Sequence, residues 1–207
     1  ISTYQSAGNN DSGVVFNAAD TENSGYGAVL AFQLGDVEKG RFEGNGDYFG
    51  LSNTCTGITF GGDSADANRL DDYEEGYYTP AITCATSGGY NLSSSYDTMA
   101  YRKIGSLVHI QGYIAVTSES GTPDGTIRIT LPFTAASLTE NADYTGMKIL
   151  VRNHGSSNMY NQIAVTHGGG TYFNVLFDDG NGASTYMTHA HVDTDWQFFI
   201  SGSYIAS

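Results

Sequence analysis

The stretch that decides the fold is Leu107-Val108-His109-Ile110-Gln111-Gly112-Tyr113-Ile114-Ala115-Val116-Thr117. Val108, Ile110, Ile114 and Val116 share one parity along it, and His109, Gln111 and Tyr113 share the other. Successive side chains of a strand point to opposite faces, so this two-residue period marks a strand with one buried side. Residues 125–131 repeat the pattern, with Ile127, Ile129 and Leu131 set against Thr126, Arg128 and Thr130. Working outward, residues 78–83, 99–104, 147–152, 162–167, 171–177, 184–189 and 195–203 read as further strands. In the last of these, Trp196, Phe198 and Ile200 form the apolar face. About nine strands in roughly 130 residues predict an all-β fold, an antiparallel β-sandwich of the jelly-roll kind. No segment places apolar residues at helical spacing; residues 134–141 read as a loop or a single turn.

Residues 1–62 differ. Their strand-like pieces, 13–16, 27–34, 40–42, 48–51 and 57–60, are short and separated by Gly, Asn and Asp. Glu43-Gly44-Asn45-Gly46-Asp47 reads as a hairpin turn. So few large apolar groups make a poor core for a part this small. Burial against other copies is therefore expected, as in an intertwined trimeric β stem, which also covers strand edges. Residues 63–77 read as an acidic linker, since Asp63, Asp66, Asp71, Asp72, Glu74 and Glu75 fall within it. Residues 78–207 are then the β-sandwich tip. The sequence starts at Ile1 with no leader and reads as part of a longer chain.

Composition narrows the function. The chain has 207 residues, with 8 Lys and Arg against 22 Asp and Glu, a net charge of −14. Such a chain does not track a phosphate backbone and is repelled by an anionic membrane surface, so no nucleic acid is expected. No apolar run approaches the roughly 18 residues that cross a bilayer, so no membrane insertion is expected either. A 40% hydrophobic and 13% aromatic content opposes disorder. Cys55 and Cys84 read as two isolated thiols. No phosphate-binding loop, dinucleotide fingerprint or Gly-x-Ser-x-Gly elbow occurs, so no cofactor is expected. The acids crowd the linker and the turns, and no repeat signals a parallel β-helix, so the chain reads as a binder without turnover.

Leu70-Asp71-Asp72-Tyr73-Glu74-Glu75-Gly76, followed by Tyr78-Thr79-Pro80, resembles a signature of bacteriophage tail-fibre proteins, particularly of marine phages. Gly57-Ile58-Thr59-Phe60 and Arg41-Phe42-Glu43-Gly44-Asn45-Gly46 are similar to the strand and hairpin that precede it in their stems. Tyr101-Arg102-Lys103-Ile104-Gly105-Ser106-Leu107-Val108, Leu131-Pro132-Phe133-Thr134-Ala135 and Ile200-Ser201-Gly202-Ser203-Tyr204 resemble parts of their terminal domain. Tyr77 and Tyr78 stand where Trp or Phe is more usual. The resemblance implies a homotrimeric receptor-binding fibre on the virion surface, whose tip adsorbs to a host cell-surface glycan or protein. It also implies attachment to other virion proteins of the tail or baseplate through an upstream region. The alternatives are a structural head, collar or decoration fibre, and a tailspike that depolymerises glycans.

Strand parity places the candidate site. With antiparallel neighbours, loops 105–106, 132–146, 168–170 and 190–194 fall near the stem. Loops 85–97, 118–124, 153–161 and 178–183 fall at the far rim. The candidate receptor-binding residues are Asn153, His154, Asn158, Tyr160, Asp178, Asp179 and Asn181, side chains that grip sugar hydroxyls by hydrogen bonds and stacking. Asp178-Asp179-Gly180-Asn181-Gly182 is also plain turn chemistry. His189 and His191, two apart, share one face of a strand, and three copies around an axis would offer six ring nitrogens to a metal.

Overall fold

The computed structural model describes the whole of residues 72–207 and, before them, six strands. These are β1 (Val14–Val15), β2 (Ala28–Leu34), β3 (Val37–Glu43), β4 (Phe49–Leu51), β5 (Ile58–Thr59) and β6 (Arg69–Leu70). Strands β1 to β4 form one antiparallel sheet in chain order, and β5 pairs with β6. The sequence-predicted strands of this part fall on β1 to β5. Cys55 and the side chain of Arg69 lie outside the described residues. The chain divides between Asp71 and Asp72.

The second unit is all-β. Its strands are β7 (Tyr73–Tyr78), β8 (Ile82–Cys84), β9 (Ser87–Leu92), β10 (Met99–Ile104), β11 (Leu107–Asp124) and β12 (Ile127–Thr130), then β13 (Thr145–Arg152), β14 (Tyr160–Thr166), β15 (Tyr172–Asp178), β16 (Ser184–Tyr186) and β17 (Gln197–Ile205). The order β7-β10-β11-β17-β13-β14-β15 makes one face of the sandwich, with β16 on the edge of β15. The order β11-β9-β8-β12-β15 makes the other. Every pairing is antiparallel, and β11 and β15 belong to both faces. No helix among the described residues is long and apolar enough to cross a membrane.

The alternation read from the sequence fills the space between the faces. Val108, Ile110, Ile114 and Val116 of β11, Ile127 and Ile129 of β12, and Phe198 and Ile200 of β17 are all buried. Trp196 lies among them, stacked on Phe198 at 5.7 Å and meeting the Tyr90 ring edge-on at 5.6 Å. Tyr204 enters the core with its hydroxyl donating to Phe133 O and accepting from Phe133 N–H. Burial pushes that phenol up to about 12.

Three elements depart from the sequence reading. Tyr73–Tyr78 is a strand, not the end of a linker, and it pairs with β10 along its full length. Its acids are engaged there: Asp72 with Lys103, Glu74 with the Tyr101 hydroxyl, and Glu75 with Arg102 and Tyr73. These three acids of the tract, which its charge density suggests are solvated, are instead partners for one neighbouring strand. Ser87–Leu92 also forms a strand where a loop is expected. Its two glycines hide the alternation, yet a Cβ on Gly89 would lie 2.2 Å from Ile82 O, so glycine permits this close approach to β8. Finally, β11 continues through Ser118–Asp124, with bulges after Val116 and Ser120. Residues 134–141 contain only the one 3-10 turn Thr139–Asn141, as expected.

Trp196→Ala removes the largest buried side chain and is expected to cost about 3–5 kcal/mol in denaturant unfolding. Thr83→Ala on the exposed face should change stability by less than about 0.5 kcal/mol. Equal effects of the two would contradict this core.

Candidate functional site

The two ends of the sandwich are defined by hydrogen bonds. At one end, Gly105 N–H donates to Asp72 O, Ala206 N–H to Ser106 O, Ser207 N–H to Thr134 O and Gly169 N–H to Ala135 O. This is the end where Asp72 opens the unit. Loops 105–106, 168–170 and the start of 132–146 lie here, as strand parity predicts. The opposite end carries loops 153–159 and 179–183, also as predicted. Loop 190–194 is a correction. The pairing Arg152↔Gln197 and the approach of Asp193 to Gly155 put it at the far rim. The sequence reading lengthens β16 to residue 189, whereas the strand stops at Tyr186 and the chain crosses back through a 3-10 turn, His189–His191.

That turn also decides the histidines. They are not on a strand. His189 Nδ1 accepts from Gly125 N–H at 3.1 Å, and His191 Nδ1 accepts from Thr188 N–H at 3.0 Å. A ring nitrogen that accepts carries no proton, so each neutral ring holds its proton on Nε2. Offering Nε2 to a metal would protonate Nδ1 and break the backbone bond. No group of three or more His, Cys, Asp or Glu converges among the described residues.

The candidate residues separate into two groups. Asn153 and His154 follow β13. Asn153 adopts φ 53°, a left-handed conformation that Asn tolerates better than most residues. His154 Nδ1 donates to Ser156 O at 2.8 Å, which fixes the ring over its own loop. The second group meets across β14 and β15. Tyr160 is the register partner of Asp178, and a Cβ on Gly180 would lie 3.5 Å from the Tyr160 ring. The Tyr160 hydroxyl points to Asn158 Oδ1 at 3.5 Å. Asp178 Oδ1 accepts from Gly180 N–H and Asp179 Oδ1 from Asn181 N–H, both at 2.8 Å. One oxygen of each carboxylate thus shapes the turn, and the other has no hydrogen-bond partner among the described residues.

Beside these strands lies a cleft of about 240 Å³ whose lining includes Asn161, Ile163, Leu176, Asp178 and Ser184. A bulge between Tyr160 and Ile163 produces it. Asn161 sits there at φ 47°, and bulges re-aim side chains in this way. Gln162 stabilises the bulge: its Oε1 accepts from Val151 N–H and its Nε2 donates to Met159 O. The lining thus combines apolar Ile163 and Leu176 with polar Asn161, Asp178 and Ser184. Such an arrangement suits a sugar ring, which presents one apolar face and a rim of hydroxyls. Of the predicted residues only Asp178 lines the cleft, with Tyr160 beside it. Ile163, Leu176 and Ser184 were missed because in sequence they read as ordinary strand residues, and Asn161 because it reads as the last residue of loop 153–161.

No family model matches the sequence, and no curated protein matches it. Among solved structures, the Dettilon tailspike protein is similar over 65% of this chain, with 20% sequence identity and a TM-score of 0.49. The matched region spans 24% of that tailspike's length.

Burial, and then the neighbouring His189, lower the pKa of His191 below the ordinary histidine value. The unfolded chain therefore binds this proton more readily than the folded one, so its contribution is present above about pH 6.5 and fades as the pH falls below it. His191→Asn keeps an acceptor near Thr188 N–H and removes the titration. The wild type should lose more Tm than H191N between pH 7 and pH 5 in paired thermal melts; parallel losses would refute this assignment.

Proposed function

We propose that the chain is a virion fibre protein of a bacteriophage, and that its second unit is the tip that binds a glycan on the host cell surface. The observation that carries this reading is the cleft at the β14 bulge. It combines apolar Ile163 and Leu176 with Asn161, Asp178 and Ser184, and Tyr160 stands next to it. It lies at the end of the sandwich opposite Asp72. The resemblance of Leu70–Gly76 and its flanks to tail-fibre sequences supports the same reading. In the proposed assembly three copies act together, so that weak contacts at each cleft multiply through avidity. The proposed role is adsorption without turnover, with other virion proteins holding the upstream part of the fibre.

The cleft chemistry also orders the ligands. The negative charge of Asp178 and Asp179 favours neutral and amine-bearing sugars over uronic and sialic acids. The full chain is tested on an array of bacterial lipopolysaccharides and capsular polysaccharides. Binding of at least one neutral or amino-sugar polymer is expected, reduced about tenfold or more by Asp178→Ala and by Asn161→Ala, an effect of about 1.4 kcal/mol or more. Binding to none points to a structural fibre. Release of reducing ends from a bound polymer points to a depolymerase.

A further inference from the structure

The two outer faces of the head differ in what they show to water. Strands β8, β9 and β12 expose Thr83, Ser87 and Asn91, and no large apolar side chain. On the other face, Leu150 of β13 and Phe199 of β17 are 52% and 41% exposed. These two are register partners, and Phe199 is in turn the partner of Tyr113 on β11. The Phe199 and Tyr113 rings lie 4.6 Å apart, and Tyr96 adds an edge contact to Tyr113 at 5.2 Å. An apolar row therefore crosses three adjacent strands. Contiguous exposed rows of this kind mark interaction surfaces.

Charge identifies the occupant. The chain carries 22 acids against 8 bases, yet β13, β17 and Leu107–Ala115 of β11 contain no Asp or Glu. They contain Lys148 and Arg152, both exposed, with the Arg152 guanidinium 6.0 Å from the Phe199 ring centre. Copies of so acidic a chain repel one another over most of their surface. Here they meet no carboxylate. The complementary patch is on the same molecule. Strand β7 ends its face of the sandwich with one edge unpaired among the described strands. It exposes Tyr73 and Tyr77 beside Glu74 and Glu75, carboxylates that bond Tyr101 and Arg102 of β10 but remain exposed to a further cation. A patch that fits a different patch on the next copy is a heterologous contact, the kind that closes a ring of three.

The geometry points to this contact as the one between heads: the Leu150–Phe199–Tyr113 row of one copy packs on the β7 edge of the next. The inference rests on the trimeric reading above and names its interface. The test uses the full chain, with light scattering for mass and hydroxyl-radical footprinting corrected for intrinsic reactivity. The expected result is three times the single-chain mass, with Leu150, Phe199 and Tyr77 labelled several-fold more slowly than exposed Tyr144. In L150E/F199E, Tyr77 should label several-fold faster than in the wild type. A trimer in which Leu150 and Phe199 label like Tyr144 overturns this interface and leaves the trimer standing. Tyr77 unchanged in the variant overturns the β7 pairing. A monomer with labelled residues overturns both readings. A monomer in which they stay protected assigns their cover to residues 1–71 of the same chain and overturns the contact between copies.

Discussion

Strand β11 serves both faces of the head with one continuous backbone, and the rest of the sandwich depends on that. Its first half pairs with β10 and β17, and its second half pairs with β9. The bulges after Val116 and Ser120 turn it from one face to the other. Val108, Ile110, Ile114 and Val116 remain buried through this path. A single strand therefore anchors the core and closes one side of the sandwich, while β15 closes the other. Fixing the two corners sets where β13, β14 and β17 end, and so where the far rim lies.

The legible parts of this fold are those where one rule operates alone. Where alternation runs unbroken, as in β12, the sequence reading and the structure coincide within a few residues. It fails where two rules compete. Acid density in Tyr73–Tyr78 reads as solvation because the sequence does not show that Lys103, Tyr101 and Arg102 stand opposite. Glycine in Ser87–Leu92 reads as a turn because its role is a close approach between strands. Both signals are real, and each has a second physical cause that only tertiary pairing reveals.

The candidate site follows the same division. The turn Asp178–Gly182 is visible in sequence because Asp, Asn and Gly are the residues that such turns need. Gly180 and Gly182 do adopt positive φ. The cleft beside it is invisible, since it arises from one extra residue in β14 and from Gln162 bonding the backbone of Val151 and Met159. No local pattern distinguishes Asn161 in a bulge from Asn161 at the end of a loop. The histidine pair shows the opposite error. Its spacing is suggestive only on a strand, and the 3-10 turn spends both Nδ1 atoms on backbone amides.

Asp72 and Ala206 are tied into the same end of the sandwich, through Gly105 and Ser106. The connections at the far rim are consequently internal loops between strands that are already paired. Lengthening such a loop costs little free energy, since the price of closing it grows only with the logarithm of its length. Selection can therefore rewrite loops 153–159 and 179–183 while the pairing at the Asp72 end stays untouched. The far rim and the end that Asp72 opens are therefore free to change at different rates.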